Sequence, residues 1–353
     1  MYYPPETRAS ALTAIRRQRV LPLRGKVVVT VGQRVEPWDI VAQAAVPGGY
    51  RIVEVAQVLK AQESDIGQYL LKREGDDVKA GEPIAVRRGL FRRAVRSPVD
   101  GFLVGVGAGR VLIEADTTVL ELQAGMRGRV SSVRRNWGAT IETVGSIVQG
   151  VWGNGREGHG VLKTLADSPQ SMLTRENIEV GFQGAVVLAG QGMTAEALQF
   201  AEEVQVRGIV VGGLEASLLQ SAMAVPFPII VTEGWGTIPM SPVIFDVLKS
   251  NDGREISLRG QVQTGWERVR PEVIVPLVAK EVPPEDPVAN LPLREGVTVR
   301  LLRQPYVGAT GTVVAFPAVP RKLESGVTFR GAEVELAAGE RVFVPFANLE
   351  LIR

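Results

Sequence analysis

Residues 31–42 read VGQRVEPWDIVA and residues 74–85 read EGDDVKAGEPIA, and both fit one pattern, G-x-x-V-x-x-x-[DE]-x-[VI]-A. Gly32, Val35, Asp39, Val41 and Ala42 recur 43 positions later as Gly75, Val78, Glu82, Ile84 and Ala85. Glycine reaches the positive φ of a tight turn at no steric cost, and the aliphatic positions then face inward. Each copy therefore reads as strand, glycine-led turn, strand. Short Val/Ile runs broken by Gly, Pro and Asp extend this all-β reading from Lys26 onward. Between the copies, residues 50–71 carry apolar side chains at roughly helical spacing and predict a helical insertion.

Outward from the repeat, residues 1–22 form a basic N-terminal arm. A short helix over 10–19, with Leu12 and Ile15 on one face, is expected there, or else a partly disordered arm. Residues 119–174 continue as a connecting β module. From about Val180 the period changes: AVVLAG (185–190), GIVVGG (208–213) and PIIVTEG (228–234) read as strands. They alternate with the helical segments 194–204, 215–223 and 241–250. Three such alternations over 175–279 predict a small three-strand parallel α/β layer. The Pro-rich, acidic stretch 280–292 reads as a linker, and 293–353 returns to short strands and turns. The expected class is a multidomain chain, mainly β with a small α/β layer.

Composition removes several chemistries. The 353 residues contain no cysteine and a single histidine, His159, so disulfides, thiol nucleophiles and histidine-pair zinc sites are excluded. No cofactor is expected. The N-terminal residues lack the apolar run of a signal peptide, and no stretch approaches 18 uncharged apolar residues, so a cytoplasmic chain without membrane contact is expected. The net charge of +2 is unevenly spread. Residues 1–135 hold 22 Lys+Arg against 14 Asp+Glu, and the remainder 18 against 24. Arginine supplies 32 of the 40 basic residues, which suits bidentate contact with phosphate or carboxylate, though a compositional bias explains it equally.

Gly75-Asp76, Val78-Lys79, Gly81-Glu82 and Ser97-Pro98-Val99-Asp100-Gly101 resemble the biotinyl/lipoyl-like family, the barrel-sandwich hybrid fold, over roughly residues 24–115 (domain 23–118). Carriers of that family hold their prosthetic group on a lysine in the hairpin before the last motif. That position falls at Leu90, and no lysine occurs from 80 to 162. The resemblance thus implies the frame without the covalent role, as in structural parts of larger machines. At the other end, Gly296, Val297, Val299, Gly308, Gly311 and Val313, with Phe343, Val344, Pro345, Asn348 and Leu349, resemble a KOW module, an SH3-like barrel found in ribosomal proteins and elongation factors. That likeness implies contact with RNA or with a protein. Gly125-Met126-Arg127-Gly128-Arg129-Val130 shares the G-x-x-G-x-V core of residues 308–313.

Candidate contacts follow from charge. Arg87, Arg88, Arg92, Arg93 and Arg96 cluster around Gly89-Leu90-Phe91. Arg127, Arg129, Arg134 and Arg135 lie beside Trp137. Arg300, Arg303, Tyr306, Arg321 and Lys322 belong to the C-terminal module. Arginine pairs with phosphate and tyrosine stacks on bases, while a solvated surface balanced by the acidic half is the alternative. Gly190, Gly192 and Ala195 give G-x-G-x-x-A after a strand and before a helix, with Thr194 at the helix start and Glu215 after the next strand. That context suits an anion or nucleotide as well as a plain structural turn. The runs 151–160 (Trp152, Asn154, His159) and 232–242 (Thr232, Glu233, Trp235) read as site loops or as turn-rich connections. The expectation is a non-catalytic adaptor contacting nucleic acid or a ribonucleoprotein assembly. A nucleotide-dependent enzyme of the 180–260 layer and a purely protein-binding subunit are the alternatives.

Overall fold

The computed structural model describes residues 2–88, 93–262, 269–278, 292–303, 305–323, 325–337 and 339–352. Both repeats form the turn their pattern requires. Gly32 and Gly75 have φ of +87° and +93°, and Val35, Val41, Ala42, Val78, Ile84 and Ala85 are all buried. The acidic position has a local task. The Asp39 carboxylate accepts a hydrogen bond from the Glu36 N–H at 2.8 Å, and Glu82 accepts one from the Lys79 N–H at 3.0 Å. A side-chain acceptor closing its own turn is why Asp or Glu sits at this step.

The two copies belong to two units, one nested inside the other. In the second unit, strand Pro83–Arg87 pairs with Arg93–Arg96, and Gly101–Gly107 returns through Arg110–Ala115. In the first, Ile40–Val46 pairs with Thr118–Gln123, and Gly128–Arg134 returns through Gly138–Gln149. Their backbone ties match. The Gly75 N–H donates to Leu103 O at 2.7 Å and the Gly32 N–H to Val130 O at 2.8 Å; the Ser97 N–H donates to Glu82 O at 2.9 Å and the Ala124 N–H to Asp39 O at 2.8 Å. The Ser97–Gly101 motif therefore corresponds to Ala124-Gly125-Met126-Arg127-Gly128. At both glycines a Cβ would run into the neighbouring strand, at Glu114 O for Gly101 and Glu142 O for Gly128. The second unit enters and leaves where Val46 pairs with Thr118, at the tip of the first unit's hairpin.

Each unit has its own apolar cluster, around Ile15, Val35, Val130 and Ile141 in the first and around Leu59, Ile84, Leu103 and Ile113 in the second. The expected helical insertion is only partly helical. Tyr50–Val53 is a strand on Arg110–Ala115, followed by the short helix Val55–Leu59 and a 3-10 segment Glu63–Tyr69. Its buried Val55, Leu59 and Ile66 close the second core.

The N-terminal arm is neither helical nor loose. Ala9–Val20 is a twelve-residue strand antiparallel to Gly138–Gln149. Its inward positions are Thr13, Ile15, Arg17 and Arg19, so two arginines conceal the apolar alternation of a strand. They are tolerated inside because they are paired: Arg17 with Glu272 at 2.5 Å and Arg19 with Glu157 at 2.7 Å. Leu12, expected on one face with Ile15, is instead exposed.

This strand joins an eleven-stranded mixed sheet that also contains the α/β layer. Four parallel strands form that layer, rather than three: Glu157–Thr164, Ala185–Leu188, Gly208–Leu214 and Ile229–Trp235. The additional one is the continuation of the glycine-rich 151–160 run. Helices Ala195–Glu203 and Leu219–Ala224 cover one face and Pro242–Lys249 the other. Glu255–Arg259 and Glu272–Pro276 then lead antiparallel to Gly138–Gln149.

The short C-terminal strands pair into one sheet, in the order Leu349–Ile352, Thr298–Leu301, Thr310–Ala315, Gly331–Leu336, Arg341–Pro345, and Glu6–Thr7 adds in parallel at one edge. The chain's first residues thus stitch its last sheet to its largest one. Most of the linker 280–292 lies outside the described residues. No described helix is long and apolar enough to cross a membrane.

Candidate functional site

Parallel α/β sheets usually bind ligands beyond the carboxyl ends of their strands. Here that end is filled by the chain itself. The turn after Ala185–Leu188 contains Gly190 and Gly192, both buried. Its backbone is consumed internally: the Gln191 N–H donates to Ser171 O and the Thr194 N–H to Leu173 O, both at 3.0 Å. Ser168 and Ser171 backbone atoms crowd Gly190, and the Met172 sulfur lies over Gly192. Thr194 caps the helix by accepting from the Ala197 N–H at 3.1 Å. A phosphate would have to displace the 168–173 segment, so the fingerprint-like turn is a packing turn. Glu215 is exposed, and its carboxylate accepts from the Thr237 hydroxyl at 3.1 Å.

The adjoining strand end is sealed by the C-terminal sheet. Arg300, expected as a surface contact, is 1% exposed. It donates to Thr232 O at 2.9 Å and to Glu233 at 2.7 Å, and forms a two-bond pair with Glu350. Arg270 donates to Glu350 and to the Thr7 hydroxyl at 2.7 and 2.6 Å. Two arginines thus balance two carboxylates at the junction of three chain segments. Burial alone would raise the Glu350 carboxyl, but Arg300 and Arg270 outweigh it and hold it below the usual carboxylate range. Arg300 has no face left for a nucleic acid.

The other candidates divide by what already holds them. In the second unit, Arg87 donates to Leu59 O and Lys60 O and lies over the Tyr69 ring, and Arg96 donates to Gly81 O. Arg88 is exposed and Arg93 half-buried, while Arg92 and Leu90 fall outside the described residues. In the C-terminal sheet, Arg321 pairs with Glu333 at 2.5 Å and lies over Phe343, and the Tyr306 hydroxyl donates to Glu340 at 2.8 Å. Arg303 and Lys322 are exposed.

Arg129, Arg134 and Arg135 remain open and share one surface. Strand registers place Arg34, Arg129, Glu142 and Arg16 directly opposite one another on four adjacent strands. Residues opposite in register point to the same face. The row Ser132, Thr140 and Gln18 follows, with the Ser132 hydroxyl donating to Thr140 at 2.9 Å, and then Arg134. Arg134 lies over the Trp137 ring at 5.5 Å, with Arg135 in the same turn. The row contributes one carboxylate, Glu142, which pairs with Arg16. Neither Arg34 nor Arg16 was singled out from sequence, because only strand pairing brings them beside Arg129.

A second feature was not expected at all. A cleft of about 780 Å³ opens between the first unit and the α/β sheet, at the amino ends of the parallel strands. The first unit supplies Trp38 and Arg127; the sheet supplies His159, Arg207, Arg254 and Glu255. The His159 and Trp38 rings meet at 5.2 Å. Burial and the nearby Arg207 lower the His159 pKa against the opposing pull of Glu255, so the imidazole is neutral near pH 7. Arg127, read from sequence as a surface contact, is bonded to Glu36 at 2.8 Å and Glu255 at 3.2 Å. Asn154 is structural, donating to Ala222 O and Phe227 O and accepting from the Ile229 N–H. Trp235 tilts against Trp152 at 5.4 Å.

No protein-family model matches the chain, and no curated protein matches it.

Proposed function

We propose that this protein is a non-catalytic cytoplasmic scaffold that holds a nucleic acid against the arginine face of its first β unit. One observation carries the reading: Arg16, Arg34, Arg129 and Arg134 share an exposed four-stranded face with one carboxylate, and Arg135 and Trp137 stand at its tip. Arg16 is paired with Glu142, whereas Arg34, Arg129 and Arg134 make no ion pair with a described residue and suit phosphates, and the adjacent indole offers a stacking platform. The nested units support a barrel-sandwich hybrid used twice as a frame. The antiparallel C-terminal strands support the KOW/SH3-like reading, with Arg303 and Lys322 among its exposed cations.

The test is retention of single-stranded RNA by the full chain across a salt series. Each arginine–phosphate contact contributes ~0.7–0.9 to the slope of log affinity against log salt. Replacing Arg129, Arg134 and Arg135 by serine is expected to lower that slope by about two. Undiminished binding in the triple variant, or no salt-sensitive binding by the parent, would refute the proposal.

A further inference from the structure

The geometry points to the cleft between Trp38 and His159 as a binding site for a small ring-bearing oxyanion, a flat aromatic molecule with a phosphate or carboxylate at one end. This inference is independent of the nucleic-acid reading, because the cleft and the arginine face use different side chains.

Size and position come first. About 780 Å³ lies within the range that holds a small organic ligand, and clefts between folded units are common binding sites. The cleft has an apolar floor, with Leu12, Val161, Ile256, Pro276 and Leu277 among its lining residues.

The walls are prepared on both sides. Trp38 is 49% exposed, yet its turn is fixed three times over. Glu36 N–H donates to the Asp39 carboxylate, Asp39 N–H to Glu36 O, and Gly125 N–H to Pro37 O. An indole held half in water on a rigid turn is a ready stacking surface, at little entropic cost to a ligand. His159 is equally fixed, since its strand is paired opposite Ser257. A neutral imidazole offers one donor and one acceptor to the ligand's edge.

The charge is selective. Three arginines and one glutamate line the cleft. Arg127 is neutralised by Glu36 and Glu255 and serves as a brace between the two walls. Arg207 and Arg254 are exposed, and their guanidinium groups make no hydrogen bond or ion pair with a described residue. The cleft therefore retains excess positive charge beside an aromatic wall. Planar guanidinium forks match the two-oxygen edge of a carboxylate or phosphate. A neutral ring would leave that charge unused, and a bare anion would leave the indole unused.

His159 is the chain's one histidine, so its imidazole resonance in the full-length protein is a built-in reporter. The probes are adenosine monophosphate, naphthoate, adenosine and inorganic phosphate. Saturable displacement of the His159 signal is expected with adenosine monophosphate or naphthoate, whichever anion the arginines prefer. Adenosine and inorganic phosphate are expected to bind roughly tenfold or more weakly, since each lacks one of the two contacts. Trp38→Leu should reduce the ring-bearing anion to the level of inorganic phosphate, and R207Q with R254Q should reduce it to the level of adenosine. Circular dichroism and thermal unfolding of each variant check that the fold is kept, since losing the Trp38 ring or the Arg207 charge itself moves the unliganded His159 signal. R129S with R134S, expected to weaken RNA retention, should leave the titration unchanged. If neither ring-bearing anion saturates the His159 signal, or if both cleft variants bind as the parent does, the site is refuted.

Discussion

Removing the Arg300 guanidinium should undock the C-terminal sheet from the α/β layer. In Arg300→Met the aliphatic volume is largely kept, but the Glu233 side chain, 0% exposed, retains a single donor, the Ser241 N–H at 2.9 Å. Glu350, 3% exposed, keeps Arg270 and Thr7. Stripping one partner from a buried ion pair costs about 3–5 kcal/mol, because the remaining charge has lost its compensation. For a unit of this size that corresponds to a fall in Tm on the order of 10 °C. Thermal and urea unfolding of the full chain, followed by circular dichroism, reads the loss. The double variant Arg300→Met, Glu233→Gln removes the stranded charge and should recover a good part of it. The sign with pH is fixed as well. Glu350 is held below its unfolded value, so its contribution is complete above the ordinary carboxylate range and is lost as pH falls through the folded value. A cost in Arg300→Met below about 1 kcal/mol, the level of an exposed surface pair, would refute the argument that this network clamps the two parts.

Three more outcomes follow from other parts of the molecule. Replacing residues 47–117 by Asn-Gly should leave the remaining chain folded, because Val46 and Thr118 are already a cross-strand pair; loss of the cooperative melt would contradict nesting. Asp39→Ala removes a turn-closing acceptor, and a cost of about 1 kcal/mol is expected by urea titration; Glu82→Ala should lower the urea midpoint as well, losing both its turn acceptor and the Lys72 pair. The His159 resonance should titrate below the ordinary histidine value, lower still in Glu255→Gln and higher in Arg207→Gln. Since the folded state disfavours the imidazolium, stability should rise with pH between the folded and unfolded values of that group.

The 43-residue repeat by itself determined two identical turns, and it did so through chemistry that acts within a few residues. Glycine supplies the positive φ, the carboxylate closes its own turn, and aliphatics at alternating positions become core. Three of the four parallel strands of the α/β layer and the strands of the C-terminal sheet were legible for the same reason, as was the turn chemistry that Gly125 shares with Gly308, at φ of +73° and +82°. Where local sequence left two readings open, packing chose. The Gly190–Gly192 turn has the right spacing for a phosphate, but residues 168–173 occupy its open side, and that is a long-range fact.

Nesting was hidden because insertion breaks the collinear order. Motif Ser97–Gly101 lies after the second copy, whereas its counterpart at 124–128 lies beyond the whole inserted unit. The strand Ala9–Val20 was hidden because its inward Arg17 and Arg19 are paid for by Glu272 and Glu157, more than a hundred residues away. Arg300 looks like any surface arginine in sequence, and only the docking of Thr7, Glu233 and Glu350 around it makes it interior. The cleft has the same origin. Trp38, His159, Arg207 and Arg254 have no spacing in common, and the meeting of two folded units alone sets them around one cavity.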